Sequence, residues 1–138
     1  MAVQPLTEDE VTQILAAPKF IRGDLTWRYD PNEGWAKGEI DVANKLKVDL
    51  KVYASANLRI PGRFSFNLTV SRAFSIRRLD TQKSHRNRHT DDRLMAGTHW
   101  HIWTNRCRDR WATDLPFPLS DSVDYAFESF ARKARNIF

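Results

Sequence analysis

A chain of 138 residues, 41% hydrophobic and 28% charged, has the size and composition of one globular domain that buries about 68% of its unfolded surface. No apolar run approaches the ~20 residues of a membrane span, the opening MAVQPLTEDE lacks a signal-peptide pattern, and the lone Cys107 makes no internal disulfide, so the expectation is a reducing, cytoplasmic setting without a membrane partner. The net charge of +5 is concentrated: residues 1–71 carry nine Lys/Arg against nine Asp/Glu, residues 72–110 ten against four, and residues 111–138 three against four.

Thr7-Glu8-Asp9-Glu10 has the form of a capping box, in which the threonine hydroxyl takes a free backbone N–H and Glu10 reaches back. Val11, Ile14 and Leu15 then share one helical face, and Pro18 ends the helix. Leu25, Trp27 and Tyr29 alternate with polar neighbours as a strand does, residues 30–34 (DPNEG) are turn chemistry, and Trp35 to Val42 returns as a second strand. After a turn at Asn44-Lys45, residues Leu46, Val48, Leu50, Val52 and Ala54 alternate with Lys47, Asp49, Lys51 and Tyr53, which predicts one face in a core and one in water.

Beyond the turn at Ile60-Pro61-Gly62, a long strand is predicted, with Phe64, Phe66, Leu68 and Val70 alternating with Arg63, Ser65, Asn67 and Thr69. Its pattern runs on through Phe74 and Ile76, interrupted at Arg72 by a bulge or a buried, paired arginine. Extension to Leu79 carries Arg77, Arg78 and Asp80 to one end of the sheet. Ser84 to Met95 shows no period and reads as a loop. Thr98 to Thr104 is the last predicted strand, with Trp100 and Ile102 on one side and His99, His101 and Trp103 on the other. Asn105 to Arg110 reads as a charged turn, and Trp111-Ala112 re-enters the core. Ser120 is a good N-cap for a closing helix that carries Val123, Phe127, Phe130, Ala134 and Ile137 at helical spacing. The predicted fold is a single α+β domain over residues 1–138: a five-stranded, mainly antiparallel sheet with an N-terminal and a C-terminal helix packed on one face.

Chemistry gathers between Ile76 and Ala112, which hold all four histidines, Cys107, three of the five tryptophans and the charge excess. Nine of the ten cations in residues 72–110 are arginine, whose planar fork suits phosphate, so the expected partner is a polyanion and foremost nucleic acid. His99 and His101, two apart on a strand, support three readings. They could hold a metal with a further ligand from His85, His89 or Asp80. They could work as general acid and base. They could also be amphipathic sheet residues whose ring nitrogens find ordinary partners.

RNA cleavage without a metal needs a base for the 2′-hydroxyl, an acid for the leaving oxygen and cations for the phosphorane. His85, His99 and His101 are the catalytic candidates; Arg77, Arg78, Arg86, Arg88, Arg106 and Arg108 are the phosphate-binding ones. Trp103 could stack a base, and Asp80 and Asn87 could orient the others. There is no P-loop, G-x-G-x-x-G, G-x-S-x-G or metal-spaced cysteine pair, which argues against P-loop nucleotide hydrolysis and serine hydrolase chemistry.

Arg78-Leu79-Asp80, His85-Arg86-Asn87, His99-Trp100-His101 and Trp111-Ala112 resemble the pattern of an uncharacterised family of small bacterial and prophage proteins. The resemblance covers roughly Ile76 to Phe138, and Phe130 to Ile137 fits the family's closing helix. It implies that Asp80, His85, Asn87, His99 and His101 belong together, and a mobile-element or defence setting. Arg88-His89-Thr90 departs from the Pro-Asp-Gly that relatives carry there.

The leading expectation is therefore a small nucleic-acid-acting protein, a metal-independent ribonuclease of toxin or defence type, with RNA as favoured partner and no cofactor. The alternative is a non-catalytic phage or mobile-element protein that docks on nucleic acid or on a host defence protein–nucleic acid complex through the same basic face. A third is a sensor of a small anionic ligand held between the loop and the last strand.

Overall fold

Helix α1 (Glu8–Ala16) starts where its capping box directs: the Glu10 N–H donates to Thr7 Oγ1 at 3.2 Å and the Thr7 N–H to Glu10 Oε1 at 3.2 Å. The chain is described from a computed structural model, which covers residues 6–30, 32–60, 62–81, 85–86, 94–95, 98–104, 108–115 and 123–133. The buried Lys19 closes the other end of α1, its ammonium donating to the carbonyls of Leu15 (2.6 Å) and Ala17 (2.9 Å), where the helix dipole favours a cation.

Seven strands follow as one antiparallel sheet: β1 (Lys19–Asp30), β2 (Trp35–Asn44), β3 (Leu50–Asn57), β4 (Phe64–Val70), β5 (Phe74–Asp80), then, after a two-stranded ribbon of β6 (His85–Arg86) and β7 (Leu94–Met95), β8 (His99–Thr104) and β9 (Arg108–Asp114). Their spatial order is β1-β2-β3-β4-β5-β8-β9, and helix α2 (Val123–Lys133) ends the described chain. Buried residues of β2–β5 and β8, among them Val52, Phe66, Leu68, Ile76, Leu79 and Trp100, form one core with Val11, Ile14 and Leu15 of α1 and Ala126, Phe130 and Ala131 of α2. The Phe66 ring meets Phe127 at 5.5 Å and Phe130 at 5.6 Å.

The α+β class and the antiparallel pairing agree with the sequence, but the sheet has seven strands where five were predicted. The long predicted strand is a hairpin. Ser71 and Arg72 take φ of +54° and +58°, and the Ala73 N–H donates back to the Val70 carbonyl at 3.1 Å, so the chain reverses in a turn with the φ signs of type I′. Arg72 is thus neither a bulge nor a buried cation; its guanidinium lies 3.7 Å from Asp49 at the surface. The seventh strand is β9, where a charged turn was predicted. Leu46 and Val48 precede β3 rather than belonging to it: the Asn44 side chain bonds both the carbonyl (2.7 Å) and the N–H (3.1 Å) of Val48, holding a turn that leaves Leu46 49% exposed. Ala134 and Ile137 lie outside the described residues.

One irregularity decides which way β5 faces. Leu68 of β4 pairs with Arg77 and Thr69 with Ser75, so Ile76 is an extra residue in β5. Ile76, fully buried, joins the core as Phe74 does in part. The phase then resets, and Leu79 is the next core residue while Arg78 and Asp80 turn to the opposite face.

Candidate functional site

On that opposite face the register lines up two rows of cross-strand neighbours. The first runs Arg28, Lys37, Ser55, Ser65, Asp80, His99; the second runs Glu39, Tyr53, Asn67, Arg78, His101. Small and polar residues occupy the middle of both rows, and at the β5–β8 end the side chains converge. Asp80 is 5% exposed, His99 1% and His101 2%, a degree of burial that polar groups tolerate only when partnered.

The partners are close. Ser65 Oγ donates to Asp80 Oδ1 at 2.8 Å, and Arg78 Nε donates to Oδ2 at 3.2 Å. Asp80 Oδ2 lies 3.4 Å from His101 Nε2 and 3.8 Å from His99 Nε2. The two Nε2 atoms are 3.2 Å apart, and Arg78 Nη2 approaches His101 Nε2 at 3.1 Å. Thr81 holds the strand end in place: its hydroxyl donates to the Gly62 carbonyl (2.6 Å) and accepts the Phe64 N–H (2.9 Å). Burial alone would push the Asp80 carboxyl up. Hydrogen bonding to His101 and Ser65, with the Arg78 charge, outweighs it and holds the group well below the usual carboxylate range. Asp80 is a carboxylate at neutral pH.

That ionisation creates a conflict at His101 Nε2, which offers either one proton or one lone pair. Arg78 Nη2 can only donate to it, and the Asp80 carboxylate can only accept. A protonated Nε2 satisfies Asp80 and opposes Arg78; an unprotonated one does the reverse. No single protonation state suits both neighbours.

Away from the cluster the rows border a trough of about 280 Å³, lined by Arg28, Lys37, Glu39, Tyr53, Ser55, Ser65, Asn67 and Arg78. Arg78 and Ser65, which hold Asp80, therefore also form the trough's end.

The structure brings together Arg78, Asp80, His99 and His101 of the residues singled out from sequence. It places Arg77 elsewhere: the guanidinium carbon lies 5.4 Å from the ring centre of Trp100, on the core side of the sheet. The backbones of His85 and Arg86 lie in the ribbon, of Trp103 in β8 and of Arg108 in β9. Asn87, Arg88, His89, Arg106 and Cys107 lie outside the described residues. Ser65 and the trough residues of β1–β3 carry no motif in the sequence; their only signal there is the polar phase of strands whose apolar phase marks the core.

No helix among the described residues is long and apolar enough to cross a membrane. No curated protein and no solved structure matches the chain. A family model matches residues 6–135, which takes in both helices and every strand of the sheet. The chain therefore belongs to that family, the family of unknown function DUF6978.

Proposed function

We propose that this protein acts on nucleic acid, with RNA the favoured substrate, and that Arg78, Asp80, His99 and His101 are its chemical centre. The observation that carries the reading is the continuity of the polar face, whose trough leads from Arg28 and Lys37 to Arg78 and Ser65 beside the buried cluster. A phosphate chain laid along these strands would meet cations at one end, Tyr53 as a stacking surface, and ionisable groups at the other. Both helices on the core face of the sheet would leave this face to the ligand. A cytoplasmic ribonuclease of toxin or defence type, in a bacterial or prophage setting, is the form of this function that the charge excess and the His-x-His strand favour.

In its metal-independent form the reaction needs an imidazole to take the 2′-hydroxyl proton and another to protonate the leaving oxygen. With His99 and His101 1% and 2% exposed, that course requires the cluster to open onto the trough. The same burial favours a second reading, a non-catalytic binder in which the cluster braces the sheet and the trough holds nucleic acid or a host complex.

An RNA-cleavage assay on wild type and on the His99→Ala/His101→Ala variant, each with and without EDTA, separates these. Cleavage by wild type that the variant loses by 100-fold or more is the expected outcome. No cleavage, with RNA binding that survives in the variant and falls in Arg28→Ala/Lys37→Ala, would replace the enzyme by the binder.

A further inference from the structure

We propose that Asp80, His99 and His101 form a three-ligand site for a divalent transition metal of the zinc class. The three donor atoms, Asp80 Oδ2 and the two Nε2, stand 3.2, 3.4 and 3.8 Å from one another. Zinc held at ~2.0–2.2 Å in a tetrahedron separates its ligands by about 3.3–3.5 Å, whereas neighbouring ligands of an octahedron at those lengths come within about 3 Å. The separations of 3.2 and 3.4 Å lie close to the tetrahedral value, and the 3.8 Å between Asp80 and His99 has to close by about 0.3 Å. Two imidazoles and a carboxylate are also a donor set that zinc takes in its catalytic sites, with the fourth corner left to water or substrate.

The carboxylate is already oriented for this role. Ser65 holds Oδ1 at 2.8 Å, and Oδ2, which also accepts from Arg78 Nε at 3.2 Å, faces the histidines. All three ligands sit on paired strands, Asp80 directly opposite His99, so their spacing is fixed by sheet register rather than by a loop. A cation among them meets the Asp80 charge and takes the one lone pair of His101 Nε2, the lone pair that Arg78 Nη2 also faces at 3.1 Å. Both ring nitrogens then turn lone pairs to the ion, and the carboxylate meets a positive charge in place of a lone pair. Arg78, its side chain 31% exposed, would have to turn its Nη2 from His101 toward the trough it lines when the ion binds. The site shares side chains with the proposed nucleic-acid function but does not depend on it, because occupancy is read without RNA.

The test begins with the full chain, stripped with EDTA, reloaded with zinc sulfate and passed over a chelating resin, and then measured for all first-row metals. One zinc per chain is expected, with a Tm about 5–10 °C above the stripped protein at a hundredfold excess of zinc over Kd. Cobalt in its place should give the visible absorption of a four-coordinate nitrogen and oxygen site, with no thiolate charge-transfer band. Asp80→Asn and His101→Gln should each lower retained zinc at least tenfold, while His85→Ala/His89→Ala/Cys107→Ala keeps it. Retention below about a tenth of an equivalent by wild type, loss of metal in the triple variant, or a thiolate band would each overturn the site. The cobalt spectrum of wild type decides the matter if a ligand variant fails to fold. Metal retained without RNA cleavage would keep this site and remove the ribonuclease. Cleavage that persists in a protein retaining no metal would do the opposite.

Discussion

At the scale of single residues, Asp80 is the side chain on which the candidate site turns. It is a buried carboxylate whose charge is supported by Ser65, Arg78 and His101. Hydrogen bonds to charged groups contribute about 1.5–3 kcal/mol each, so Ser65→Ala is expected to lower stability by about 1.5 kcal/mol. Asp80→Asn removes the charge itself and leaves Arg78 and two imidazoles without it; since Arg78 is partly in water, the expected loss is about 2–3 kcal/mol, below the full value for a buried pair. Urea denaturation in EDTA checks both. An Asp80→Asn protein as stable as wild type would show that the carboxylate is dispensable to the fold. Arg77, one position from Arg78, has a different task, covering the Trp100 indole where a cation–π contact and its aliphatic stem favour it.

At the scale of elements, two local devices shape the site-bearing strand. The turn at Ser71-Arg72 places two side-chain-bearing residues at positive φ, a conformation that asparagine and glycine adopt at far lower cost. Ser71→Asn/Arg72→Gly is expected to stabilise the protein by about 1 kcal/mol, a rise of about 4 °C in Tm by calorimetry; the exposed Arg72–Asp49 pair offsets little of this. The same turn shows why the strand count escaped the sequence. Ser-Arg lacks the Asn-Gly signature of a type I′ hairpin, and hydrophobic alternation runs across it without a break. Strand β9 escaped for another reason, since Arg108, Asp109 and Arg110 look like a turn until β8 pairs with Arg108 and with the residues from Trp111 onward. The capping box, the strands from Trp35 to Val42 and Phe64 to Val70, and the pairing of His99 with His101 were legible because each rests on local spacing alone. Arg78 could not be told from Arg77, because the choice hangs on the extra residue at Ile76 and therefore on register with β4. Ser65 read as a solvent-facing position, and only the approach of β5 makes it a partner of Asp80.

At the scale of the whole molecule, the sheet is a meander in which each of the strands β1 to β4 pairs with the next in sequence, as β8 does with β9. The join between β5 and β8 differs: residues 81–98 intervene, the pairing spans only Arg77↔Ile102 to Asp80↔His99, and no tight turn ties the two strands. Arg78 and Asp80 stand on one side of this join, His99 and His101 on the other. Subglobal opening favours boundaries of this kind, where few hydrogen bonds hold segments distant in sequence. Amide hydrogen exchange in β8 and β9 is therefore expected to run at least tenfold faster than in β3 and β4 in the metal-free protein, and zinc should slow it; equal protection across the sheet would contradict this. An ion shared by Asp80 and the two histidines would rivet the halves of the sheet together. Loading and unloading it would then be the event that decides whether the C-terminal strands breathe as a separate flap.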